Sequence, residues 1–207
     1  MPTGVGCPMD NAVALVQAYL RVNGYFTVSE YPVMVREGAH SARALTDLDI
    51  LAVRFARDDV ELDPSLGTDQ AGVDMIVGEV KEGRARLNRS ADDPRVIEAA
   101  LVRFGCCPEP LVRPLVREML SSGSVQLPSG HRLRRVAFGA APPEQEVPYL
   151  VVTLGQVVSY LQAYLRDNWE LLRHAESKEP GLGMLMTLEK AMHTEPRRNL
   201  VPAPITR

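Results

Sequence analysis

The chain has 207 residues, 45% of them hydrophobic and 24% charged, with a formal net charge of −3 at pH 7. That is enough for one domain with a real core, with or without a small appendage, and its charge is not extreme. No run of about 18 apolar residues occurs, so no transmembrane helix and no membrane partner are expected.

The first residues, Met1 to Cys7, lack the basic and apolar regions of a signal peptide. Cys7, Cys106 and Cys107 are odd in number and without CxxC spacing. A reducing, cytoplasmic setting is expected, and a cysteine zinc site is not. The charge is unevenly spread. Residues 1–80 carry 5 basic and 12 acidic side chains, and residues 81–135 carry 11 basic and 6 acidic ones. An arginine-rich stretch beside an acidic site suits a polyanion that must meet a metal. Taken alone, the charge pattern is read more simply as a solvated, salt-bridged surface.

In chain order, Asp10 is placed to cap a helix ending near Asn23-Gly24. A strand is predicted from Tyr25 to about Arg36. Pro32 cannot donate to a ladder, so this strand should be an edge or carry a bulge. After a turn at residues 37–41, a second strand is predicted from about Leu45 to Phe55. Residues 57–72 read as a surface loop, and a third strand spans about Asp74 to Lys81. Asp93-Pro94 should open a helix to Phe104, with Gly105 closing it. Another helix covers about Glu109 to Leu120, followed by a loop or small hairpin centred on Pro128-Ser129-Gly130. Strands at 132–138 and 149–152 flank a proline-rich connection. Thr153 and Gln156 form a capping box for a helix to about Ala175, although Asn168 interrupts its apolar stripe. A methionine-rich amphipathic stretch, 183–193, precedes an extended tail, 194–207. This order predicts an α/β sandwich with a mixed sheet.

Two of these strands carry acid. Alternate residues of a strand share a face, which puts Asp47 with Asp49 and Glu79 with Lys81. Unpaired carboxylates in a buried strand would carry a desolvation cost. Brought together on adjacent strands, they would make a site for a divalent cation with an ammonium beside it. The plainer reading is a set of strand-end charges in ordinary salt bridges.

An Asp at the start of an apolar strand, then an apolar strand ending Glu79-Val80-Lys81 and a following helix, resembles the PD-(D/E)xK nuclease superfamily. The resemblance covers roughly Asp10 to Phe138. It implies a restriction-endonuclease-like α/β/α sandwich over residues 1–177, with helices inserted at about 109–121. Residues 178–207 would add a C-terminal helix and tail. It implies hydrolysis of nucleic acid, with DNA favoured, by Asp49, Glu79 and Lys81. Mg²⁺, with Mn²⁺ as a substitute, would be held by Asp49, Glu79 and the Val80 carbonyl, because Mg²⁺ prefers hard oxygen ligands and keeps several waters. Asp47 would add a ligand or orient a water. Many members also carry a glutamate on the first helix, and this helix has none. Asn11, Gln17 or Glu30 would have to stand in, although Glu30 alone reads more simply as an exposed strand residue. Arg84, Arg86, Arg89 and Arg95, with Asn88, are the candidate nucleic-acid contacts. The alternative is a weak or inactive module on the same fold that binds nucleic acid or a protein. A third reading is a structural or oligomeric protein, with the methionine-rich C-terminal helices as a homodimer or partner interface.

The histidines show no ligand spacing and read as surface or structural residues. Cys106 and Cys107 read as a small apolar pair. Trp169 reads as helix packing. No phosphate-loop, nucleophile-elbow or dinucleotide motif occurs.

Overall fold

The computed structural model describes residues 10–36, 41–56, 62–67 and 72–193. Cys7, His40 and the tail from Thr194 lie outside the described residues. Asp10 caps α1 (Asn11–Val22), its side chain accepting the Ala12 N–H at 2.8 Å. Val13, Val16, Tyr19 and Leu20 give α1 its buried face. Three antiparallel strands follow in a meander: β1 (Phe26–Arg36), β2 (Ala42–Arg54) and β3 (Asp74–Arg84). As Pro32 required, β1 is at the sheet edge, and its register slips between Val33 and Met34.

Asp93 caps α2 (Pro94–Phe104), and Gly105 closes it in the left-handed region. α3 (Glu109–Ser122) leads into β4 (Ser124–Gln126), which turns back onto β5 (Arg132–Ala141) as a small hairpin. β5 runs parallel to β3, and β6 (Leu150–Thr153) runs parallel to β5. The capping box of Thr153 and Gln156 starts α4 (Leu154–Asp167). The short α5 (Trp169–Leu172) and then α6 (Pro180–His193) complete the described chain.

The sheet is therefore mixed and six-stranded, with helices on both faces. One core joins α1, α4 and α6 to Ile50, Ile76, Val136 and Phe138. The other joins α2 and α3 to Leu51, Met75, Val77 and Leu133. Because its burial sides alternate, β3 feeds both cores. α6 packs on α1, where a Cβ at Gly181 would stand 2.6 Å from the Ala14 carbonyl oxygen. Its Met186 is buried in the α1 core, whereas Met184 and Met192 are exposed. None of the helices among the described residues is long and apolar enough to cross a membrane.

Two expectations change. The single helix to Ala175 breaks at Asn168, whose side-chain amide and backbone N–H both turn back to the Tyr164 carbonyl. The segment 62–67, expected as surface loop, is built into the core. Leu66 is fully buried, and Asp63 accepts the Tyr19 hydroxyl at 2.8 Å and the Ser65 N–H.

At the start of β3, Asp74 is fully buried. It pairs with Arg134 at 2.7 Å and Arg132 at 3.4 Å, and it accepts the Tyr25 hydroxyl. Burial, then the charge of Asp74, pushes the Tyr25 hydroxyl up to about 12. Removing one partner from such a network leaves a buried charge uncompensated. Asp74→Ala should therefore lower the unfolding free energy by about 3–5 kcal/mol in urea titration.

Candidate active site

The site forms where two strands part. β2 and β3 pair from Arg54–Asp74 as far as Ile50–Gly78, and the next residues in that register are Asp49 and Glu79. There the side chain of Asp49 takes over from the ladder. Its Oδ2 accepts the Val80 N–H at 2.8 Å. β3 stays straight because its other edge remains paired to β5 through Lys81 and Gly139.

Lys81 and Glu79 lie on one side of β3, the side of Met75 and Val77. The Lys81 Nζ donates to Asp49 Oδ2 at 3.2 Å and to Glu79 Oε2 at 3.1 Å. The Glu79 side chain is 2% exposed, against 19% for Asp49 and 25% for Lys81. The centre is thus closed at its base and open at its rim. The Asn88 side-chain amide donates to Glu79 Oε2 as well. Glu79 Oε1 is buried and accepts no hydrogen bond among the described residues.

Glu30 is exposed on β1. It falls between the pairs Ser29–Ile50 and Tyr31–Leu48, which places it opposite Asp49. Its φ of +52° makes it the one non-glycine residue with positive φ among the described residues. Such backbone is uncommon in a side-chain-bearing residue and marks local strain.

The electrostatics follow from burial and crowding. Burial, then the charge of Asp49, raises the Glu79 carboxyl to about 7, with Lys81 opposing. Burial works against the charge of Lys81, but the hydrogen bond and charge of Glu79, and then those of Asp49, hold its ammonium above the usual lysine value. Burial and the charges of Asp49, Asp47 and Asp10 raise Glu30 above the usual carboxylate range. Asp10, read in the sequence only as a helix cap, is thus an acidic group that α1 brings towards this side.

Asp49, Glu79 and Lys81 therefore come together as expected, and Val80 joins them through its amide. Asp47 stands apart: it is exposed, opposite Pro32. The alternation that placed it beside Asp49 breaks here, since Leu48 and Ile50 belong to opposite cores. Asn11 is exposed in the first turn of α1 and Gln17 is buried in that helix, and neither takes part in the cluster's hydrogen bonds. Arg84 pairs with Glu144 at 3.0 Å and Arg95 with Asp93 at 2.6 Å, while Arg86 and Arg89 are exposed beside the exit from β3. Asn88, expected as a nucleic-acid contact, instead holds a carboxylate. Its place in a polar exit turn gave no sign of that.

A groove of about 550 Å³ opens at the other end of the sheet, lined by Phe26, Leu51, Phe55, Met75 and Phe104 among others. It is mainly apolar and lacks paired carboxylates.

Among the described residues, no group of three or more His, Cys, Asp and Glu side chains is arranged to hold a metal ion. Two carboxylates with an unused buried oxygen nevertheless fit a hard cation that completes its shell with water. Comparison with family models, with curated proteins and with solved structures finds no match to this chain.

The raised Glu79 carboxyl gives a test that needs no substrate. The fold prefers its neutral form, so without a divalent ion the contribution of Glu79 is fully present below about pH 4.5 and is lost as pH rises through 7. Glu79→Gln keeps the neutral shape at every pH. In EDTA, its stability relative to wild type should rise between pH 5 and pH 8 by on the order of 2 kcal/mol, read by urea unfolding.

Proposed function

We propose that this chain is a metal-dependent nuclease of the PD-(D/E)xK type, hydrolysing phosphodiester bonds of nucleic acid, with DNA as the favoured substrate. The observation that carries the reading is the orphaned Glu79 Oε1, buried beside Asp49 and next to the ammonium of Lys81. A buried carboxylate oxygen without a donor carries a desolvation cost unless something cationic meets it. The three-layer α/β/α order supports the same reading, with a β1–β2–β3 meander and a parallel β5 beyond it.

In this reading Asp49 and Glu79 hold Mg²⁺, which when bound supplies polarisation of the phosphate and acidification of water. Asp49 acts from Oδ1, because Oδ2 is committed to the Val80 amide and to Lys81. Glu79 acts from Oε1. Lys81, anchored at the rim, orients the attacking water and donates to a phosphate oxygen as charge develops there. Arg86 and Arg89 are exposed beside the exit from β3, and phosphate contacts from such residues would position a substrate without reading its sequence.

Holding only two carboxylates favours a second reading, a module that binds nucleic acid or a protein with little catalysis. Calorimetric titration with Mn²⁺ separates the two. Wild type should bind, and Asp49→Ala/Glu79→Ala should not. Lys81→Ala should bind Mn²⁺ at least as tightly as wild type, because no ammonium then competes for the carboxylates. It should also lose nucleic-acid cleavage by at least about 100-fold. Equal, weak binding by wild type and the double variant would remove the metal site and leave the binding module.

A further inference from the structure

The exit from β3 is more firmly held than a connecting turn requires. β3 ends at Arg84, and the chain crosses β5 at a place where only glycine fits. A Cβ on Gly139 would stand 2.4 Å from the Ala85 nitrogen. The Ala85 N–H donates to the Ala141 carbonyl at 2.8 Å, which fixes the direction in which residues 86–88 leave. The segment that follows is tied to the sheet twice. The Ser90 and Thr46 hydroxyls bond to each other at 3.1 Å, linking it to β2. The buried Arg135 of β5 donates to the Ala91 carbonyl at 3.3 Å and pairs with Asp92. Asn88 opens this short 3₁₀ turn (Arg89–Asp92) but does not cap it, since no capping hydrogen bond leaves its side chain. Its amide is directed at Glu79 Oε2 instead.

We propose that Asn88 is the positioning residue of this centre. By occupying Oε2 together with Lys81, it fixes the rotation of the Glu79 carboxylate and leaves Oε1 for a divalent ion. The two ties on residues 90–92 serve to keep Asn88 in place. This rests on the metal-site reading above and adds to it a residue that touches neither the ion nor the substrate. Partners that orient a ligand are worth about 10–100-fold in metal affinity.

The test is Mn²⁺ titration of wild type, Asn88→Ala, Asn88→Leu, Ser90→Ala and Glu79→Ala, with thermal unfolding of each in EDTA. Asn88→Leu keeps about the same size and loses the donor without adding a charge, so a purely space-filling role would leave its affinity unchanged. Both Asn88 variants should bind Mn²⁺ about 10–100-fold more weakly than wild type. Ser90→Ala should follow in the same direction by less, and unfolding in EDTA should still be cooperative. Wild-type affinity in Asn88→Ala, with binding lost in Glu79→Ala, overturns this role and leaves the metal site standing. Wild-type affinity in Asn88→Leu also overturns it, because the residue would then only fill space. No Mn²⁺ binding by wild type removes the metal site and this role with it.

Discussion

The centre depends on the parting of β2 and β3 after Ile50 and Gly78. A ladder that continued past this point would give the Val80 N–H a backbone carbonyl of β2 as its partner. The strands separate instead, and a carboxylate, Asp49 Oδ2, satisfies the Val80 N–H that the ladder abandons. The substitution has two effects at once. It prevents a buried backbone donor from going unpaired, and it fixes the Asp49 side chain against β3. β5 makes the parting affordable, because β3 keeps a full set of partners on its other edge.

β3 carries two buried carboxylates, Asp74 at its start and Glu79 midway along it, and their surroundings differ in kind. Asp74 meets two arginines and a tyrosine hydroxyl, which are enough donors to engage both of its oxygens. Glu79 meets an ammonium and an amide, and both go to the same oxygen. The first arrangement is complete and structural. The second lacks a partner on a defined side, in a place where donors could have been built in. A buried polar atom left unmet next to other charges is a cost that an ordinary salt bridge would have no reason to retain. This contrast separates the candidate site from the rest of the buried charge in the protein.

Much of this was legible in the sequence, for physical reasons that can be named. The helix starts were written in short-range chemistry: Asp10, Asp93-Pro94 and the Thr153–Gln156 box each act within a few residues. The three acidic-site residues were legible because charge inside an apolar strand is expensive and needs a reason. Asp47 was misplaced because period-two alternation assumes a regular strand, and β2 is irregular where Glu30 takes positive φ opposite Asp49. Segment 62–67 was misread because its polarity suggested solvent, whereas Asp63 finds its partners on α1, about forty residues away in sequence. Asn88 had no local signal at all. Its partner is on the preceding strand, and the turn that presents it is set by Gly139 and Arg135, which come later in the chain.

The exposure gradient across the centre bears on what it could accept. Glu79 is sealed, while Asp49 and Lys81 are about a fifth to a quarter exposed. A small-molecule site usually encloses most of its ligand, and here Asp49 and Lys81 lie instead at a rim, where β2 and β3 part. An open rim lets a long chain pass with one linkage at the carboxylates and the rest over the surface. The buried base has the opposite effect, since low dielectric around Glu79 strengthens its attraction for a cation and limits competition from water. The open rim suits a polymeric substrate, and the sealed base suits a tightly held ion. Both follow from the same parting of strands, which exposes the outer edge of Asp49 while leaving Glu79 beneath residues 88–92.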